Sequence, residues 1–282
     1  MNRKIAYKIL AVILFLSGFL ILLYPLFSNW WNGKRNSRLI DGYQEQVEKL
    51  PKTDYSEWFA KADAYNQTLT SKGIPDAFAI NTPEEDKDYM AQLSLFEDGV
   101  MGYIEIPKIS VHLPIYHTTS EEVLAKGVGH LQGSALPVGG ESTHCVLSAH
   151  RGLPSATMFT DLDLLKEGDH FYIHVLDRVL AYEVDQTREV KPEETASLSI
   201  EKGKDFVTLV TCTPYGVNTR RLLVRGHRVP YEEETAEAEG METVSSVHTR
   251  YGMWAAAGLA VTAVFTGSLI LYTKKRERNT ES

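Results

Sequence analysis

TLVTCTPYGVNTRRLLVRGHR (208–228) is a strand-like run that ends in a cysteine, a turn around Pro-Tyr-Gly, and a second strand that opens with two arginines. Its β-branched residues fit a pleated, half-buried surface. Working outward, the same texture recurs in GYIEIP (102–107), VHLPIY (111–116), HCVLSAH (144–150), HFYIHVL (170–176), LAYEVDQTREV (180–190), FVTLVTC (206–212) and RLLVRGHRV (221–229). Gly and Pro clusters separate these runs. Several short strands with turn signals between them predict a mainly β domain whose sheet closes, or nearly closes, into a barrel.

The segment before the barrel reads differently. Residues 37–50 place Leu39, Ile40, Tyr43, Val47 and Leu50 on one helical face, and residues 55–70 do the same with Trp58, Ala62, Tyr65 and Leu69. Pro51 breaks the two predicted helices. SKGIPDAFAINTPEED (71–86) has no sustained period and reads as a loop, with Phe78 beside Asp76 at its centre.

Two stretches are too apolar for an ordinary surface. ILAVILFLSGFLILLYPLF (9–27) carries no charge and is followed by Trp30 and Trp31; YGMWAAAGLAVTAVFTGSLILY (251–272) carries none and is followed by KKRER. About 20 apolar residues cross a bilayer as a helix, and tryptophan and tyrosine suit its headgroup level. The first run exceeds the length of a signal-peptide core, so an uncleaved anchor is expected. Lys274, Lys275, Arg276 and Arg278 follow the second run, against Arg250 before it. The excess of basic residues predicts cytoplasmic termini and an extracellular segment between two spans. A net charge of −8 argues against a nucleic-acid partner. The acidic runs at 83–88 and 231–242 read as solvated linkers.

Three groups in the barrel carry chemistry: His150 in SAHRGLP (148–154), Cys212, and the Arg220–Arg221 pair. Acyl transfer by a thiol needs a thiolate, a group that protonates the leaving amine, and donors for the oxyanion. Cysteine, histidine and arginine supply these roles. The chain has two cysteines, Cys145 and Cys212, so a disulfide in an oxidising compartment competes with the nucleophile reading. Strand alternation puts Cys145, Leu147 and Ala149 on one face and His144, Val146, Ser148 and His150 on the other. A disulfide and a His150–Cys212 dyad are therefore nearly exclusive, and spacing alone leaves them comparable. His144, Cys145, His150 and Cys212 lack the paired spacing of a zinc site.

TLVTCTPYGVNTRRLLVRG resembles the signature of the sortases, membrane-anchored cysteine transpeptidases of Gram-positive bacteria, and especially their pilin-polymerising class C. GYIEIPKISVHLPIYH (102–117), GVGHLQGSALPVGG (127–140) and SAHRGLP extend the resemblance in the family's order over most of residues 100–228. The resemblance implies a sortase-type closed β-barrel over 100–230, a helical extension over 32–99 and a lid loop at about 71–86. A cytoplasmic end and first span occupy 1–31, an acidic linker 231–250, and the second span with its basic tail 251–282. It implies Cys212 as nucleophile, His150 as acid/base, and Arg221, nine positions after the cysteine, as the group holding substrate and oxyanion. Arg220 stands where many members have histidine, and neighbouring strand residues face opposite ways, so Arg220 is expected at a solvated rim.

IPDAFA is similar to the class C lid motif, with Asp76 and Phe78 in place and Ala77 where proline is usual. By that analogy Asp76 pairs with Arg221 and Phe78 covers the Cys212 sulfur. The implied reaction joins an LPxTG-like sorting signal to a lysine of the next pilin, without metal or cofactor. The partners are pilin subunits and the membrane, with peptidoglycan precursor as the acceptor if the enzyme instead anchors surface proteins to the wall. A cysteine hydrolase and a non-catalytic membrane-tethered scaffold with a structural cysteine are the remaining alternatives.

Overall fold

In the computed structural model the β-type runs become eight strands: β1 (Val100–Ile106), β2 (Val111–His117), β3 (Val128–His130), β4 (Thr143–Ser148), β5 (His170–Val175), β6 (Arg178–Val190), β7 (Asp205–Thr213) and β8 (Arg220–Val229). Residues 3–69, 75–78, 86–96, 99–232, 236, 257–258 and 260 are described. The strands close into a barrel in the order β1-β2-β3-β4-β7-β8-β6-β5, with β5 returning to β1. Closure removes the unpaired sheet edges that invite aggregation. The β2–β3 and β4–β7 ladders are parallel and the others antiparallel.

β3 was not legible in the sequence. Three residues with a central glycine show no alternation, and Gly129 is required there because a Cβ would sit 2.4 Å from the Thr118 carbonyl oxygen. Along β4, β7 and β8 period-two alternation sorts side chains to opposite faces. Cys145, Leu147, Val207, Leu209, Leu222 and Val224 point into the main core. Val146, Val210 and Leu223 point outward into a second apolar cluster with Leu131, Leu198 and Ala77.

Helix α1 (Arg3–Lys49) runs unbroken through Pro25, and α2 (Lys52–Thr68) follows after Pro51. Ile40, Tyr43 and Val47 bury one face of α1 in the main core, as their spacing predicts. The stripe of α2 is rotated from the predicted one. Tyr55, Phe59 and Ala62 are the buried positions, while Trp58 and Tyr65 sit at the margin and Leu69 lies beyond the helix end. Aromatic residues at both kinds of position made the two stripes indistinguishable by period alone. Between them, α1 and α2 cover one side of the barrel.

The apolar part of α1 is long enough to cross a membrane, with a mean hydropathy of 2.0 and none of that window buried. The expected second span at 251–272 lies outside the described residues but for three single positions, as does most of the acidic linker. A short helix α3 (Lys87–Met90), capped by the Asp86 carboxylate, returns the chain to the barrel. Helix α4 (Glu121–Leu124), capped by Ser120, links β2 to β3.

Candidate active site

Strand register assembles the site. β7 and β8 pair so that Cys212 lies directly opposite Arg221, and Thr213 opposite Arg220. β4 runs parallel to β7 with Ser148 beside Val210. The ladder continues past the strand end, where the Ala149 N–H donates to the Val210 carbonyl (3.2 Å) and the Thr211 hydroxyl to the Ala149 carbonyl (2.8 Å). Extended two residues past the paired strand, the same register would set His150 level with Cys212, on the outward face shared by Val146 and Val210. His150 thus stands just past a rigid strand, in a connection that is free to specialise.

Both cysteines are free thiols. Cys145 pairs with Val207, five residues along β7 from Cys212, and its side chain is in the main core. At ~3.3 Å per residue that separation exceeds the reach of a disulfide. The competing disulfide is thereby excluded by register as well as by face.

Arg221 is the centre of the charge arrangement. Its Nη1 donates toward Cys212 Sγ at 3.6 Å, while Nε and Nη2 make a bidentate pair with Asp76 at 2.8 and 2.7 Å. Both partners of that pair are largely covered, with side-chain exposures of 11% and 15%, so the pair is only weakly screened. Phe78 lies with its ring centroid 5.0 Å from Arg221 Cζ and 5.8 Å from the His150 ring. Its ring thus borders both the guanidinium beside Cys212 and the imidazole of His150. Ala77, at the position where proline is usual, is buried in the outer apolar cluster. Arg220 is exposed and its Nη2 donates to the Glu189 carbonyl at 3.1 Å.

Burial pushes the Cys212 thiol up from its ordinary value; Arg221 opposes this and Asp76 reinforces it. Burial also pushes His150 down, with Glu121 acting weakly the other way. Both shifts favour the neutral thiol and neutral imidazole while Asp76 is docked. A thiolate forms more readily once the carboxylate leaves and Arg221 faces the sulfur alone.

Arg151 was missed as a contributor, although it sits next to His150 in the quoted motif. Its guanidinium donates from Nη1 to Thr213 Oγ1 (3.3 Å) and from Nε to the Thr160 carbonyl (3.1 Å), and Nη2 pairs with Asp163 (2.5 Å). The residue after the histidine is thus tied to the residue after the cysteine. Gly152 follows with φ +79°, and a Cβ there would meet the Tyr215 ring at 3.0 Å. The Pro-Tyr-Gly turn therefore packs against the histidine's loop.

The sortase domain family matches residues 104–229. Sortase C1 from Streptococcus agalactiae is 52% identical, with 69% of this chain and 100% of that one covered and a TM-score of 0.64. A sortase C from Streptococcus pneumoniae with pilin substrate specificity is 46% identical, covering 69% of this chain and 97% of that one, with a TM-score of 0.62. Sortase A from Bacillus anthracis is 27% identical over 229 residues, 81% of this chain and 97% of its own length. An eight-stranded barrel, a single apolar anchor helix among the described residues, and these likenesses converge: the chain belongs to the sortase family of cysteine transpeptidases, with class C sortases as its structural neighbours.

Proposed function

We propose that this chain is a pilus-assembly sortase that joins pilin subunits through a thioacyl intermediate on Cys212. The observation that carries this reading is the single guanidinium of Arg221 facing both Cys212 Sγ and the lid residue Asp76. In the proposed cycle the lid lifts and an LPxTG-like signal takes its place against the outer apolar cluster. Cys212 attacks the threonine carbonyl, and Arg221, its Nε and Nη2 donors released from Asp76, stabilises the oxyanion. His150 protonates the departing glycine amine as the C–N bond breaks, leaving a thioester. A lysine amine of the next pilin then attacks the thioester; His150 takes its proton, an isopeptide forms, and the thiol is restored.

Asp76 and Phe78 act in this scheme as a lid that holds the dyad in its neutral, idle form. With alanine at 77 the loop lacks the fixed φ that proline imposes, which lowers its stiffness. The catalytic barrel is assigned to 100–230, the helical extension to 32–99, and the two spans to the ends of the chain. The catalytic segment then lies outside the cell with both termini cytoplasmic.

Incubating the full chain with a pilin bearing an LPxTG-like signal tests the reading. A covalent ladder of pilin and a mass corresponding to a Cys212 thioester support it. A released, hydrolysed signal without ladder marks a hydrolase, and transfer to a peptidoglycan amine in place of pilin lysine marks a wall-anchoring enzyme. Undiminished ladder with Cys212→Ala marks a scaffold.

A further inference from the structure

The loop after His150 is held from outside the barrel by the turn of α1 that follows the apolar run. Asn29 Oδ1 accepts from both the Thr157 N–H (2.9 Å) and the Thr157 hydroxyl (2.8 Å). Asn32 Nδ2 donates to the Ser155 carbonyl at 2.8 Å, and the Ser28 hydroxyl donates to the same oxygen at 3.1 Å. These contacts join positions 123 to 128 residues apart, so nothing local in the chain provides them. Trp30 and Trp31 occupy the same turn and are 53% and 54% exposed, as residues at headgroup depth are.

The clasped segment is continuous with the histidine. The Thr160 hydroxyl donates to the Thr157 carbonyl and itself accepts from the Gly152 N–H at 3.1 Å. Phe159 N–H donates to the His150 carbonyl, also at 3.1 Å, and Arg151 reaches the Thr160 carbonyl. A hydrogen-bonded path therefore runs from Asn29 through Thr157 and Thr160 to the backbone of Gly152, two residues after His150, with Arg151 joining it at the Thr160 carbonyl. Connecting loops are the low-stability parts of a fold, whereas an acid/base group must be held to a fraction of an ångström.

We propose that Asn29 and Asn32 are positioning residues for His150, so that the helix leaving the membrane sets the geometry of the catalytic loop. The proposal rests on His150 being the acid/base of the reaction proposed above. It gives the juxtamembrane turn a catalytic consequence in addition to anchoring.

The test uses the full chain in detergent micelles or nanodiscs, with an LPxTG-type peptide and a lysine-bearing acceptor. Asn29→Leu with Asn32→Leu is expected to lower kcat about 10- to 100-fold, the cost of a misplacement near 1 Å, with KM for the peptide within about twofold. The limb of the pH–rate profile that belongs to His150 should move as well. Chemistry separates the two asparagines. Asn29→Asp keeps an acceptor for both Thr157 donors and recovers most of the activity that Asn29→Leu loses. Asn32→Asp replaces a donor with a carboxylate facing the Ser155 carbonyl, and does not recover.

A folded double variant with unchanged kcat and pH profile overturns the proposal, as does a loss confined to KM or to melting temperature. Should the double variant fail to fold, Thr157→Val decides: it removes one donor only, and an unchanged kcat overturns the clasp's role. Full activity in His150→Ala would overturn the acid/base reading itself, and the clasp proposal with it. Loss in His150→Ala with none in the clasp variants would sink the clasp alone.

Discussion

Cys145 and Cys212 stand on neighbouring parallel strands, yet they face opposite sides of one sheet. Cys145 points into the barrel among apolar side chains, where burial drives its thiol well above the ordinary range and Asp205 adds to the effect. Cys212 points outward, is also raised by burial, but has the Arg221 guanidinium beside it to pull the other way. The same contrast separates two histidines. His130 is fully buried, donates from Nε2 to the Ala135 carbonyl (2.8 Å) and accepts from the Tyr89 hydroxyl at Nδ1 (2.9 Å). His150 is only partly buried, with its ring 5.8 Å from that of Phe78. Residue type supplies the chemistry; the face of the sheet decides whether a charge can reach it.

The strongest way to break this comparison is to exchange the cysteines' fates. Cys212→Ala should abolish peptide transfer, a loss of about 10⁴-fold or more as for other nucleophile deletions. Cys145→Ala should leave transfer nearly intact and show its effect as a lower melting temperature. Equal losses of turnover in both would refute the division between faces.

Next in size is the arginine pair. Arg221→Ala should cost about 10²- to 10³-fold in kcat/KM, the usual range for losing an oxyanion donor. Arg220→Ala, whose guanidinium rests on a backbone carbonyl at the rim, should change it by about twofold at most. Steady-state kinetics with a sorting peptide decides, and a larger loss at Arg220 would reverse the assignment.

The histidine contrast predicts a stability slope. Burial holds His130 down to about 4, below the ordinary value of 6.5, so the folded chain refuses a proton that the unfolded chain accepts. Its contribution is complete above pH ~6.5 and is lost as pH falls toward ~4, by about 3 kcal/mol at 1.36 kcal/mol per pKa unit. Denaturant melts from pH 7 to 4 measure this. His130→Gln, which keeps one donor and one acceptor, should flatten the slope, and an undiminished slope in that variant would remove His130 as its source.

The smallest expected effect concerns the proposed lid. Asp76 raises the Cys212 thiol and occupies Arg221, so Asp76→Ala should shift the pH midpoint of Cys212 alkylation downward and speed labelling at pH 7 about tenfold. Cys145 should remain unlabelled in the folded protein. An unmoved midpoint would show that the Asp76 charge does not govern the thiol.

Most of the barrel was legible because strand patterning is local. Alternation in FVTLVTC and HCVLSAH assigns inner and outer faces before any partner is known. β3 was not legible, since three residues around a glycine carry no period. The α2 stripe came out rotated because aromatic residues lie on both candidate faces. Arg151 and the Asn29–Asn32 clasp were invisible for another reason: a side chain's hydrogen-bond partner more than 60 or 120 residues away leaves no trace in local spacing.

By itself, then, the sequence determined which side chains share a face, since the two-residue repeat of a strand follows from the pleated backbone. Residue chemistry singled out His150, Cys212 and the arginine pair, and the resemblance to the sortases gave them roles, chose Arg221 and added the Asp76–Phe78 loop. Only the tertiary structure decided which of these meet. Parallel pairing of β4 with β7 sets Ser148 beside Val210, two residues before His150 and Cys212, and antiparallel pairing of β7 with β8 puts Arg221 across from the thiol. Register is a property of two strands, and neither strand contains it alone.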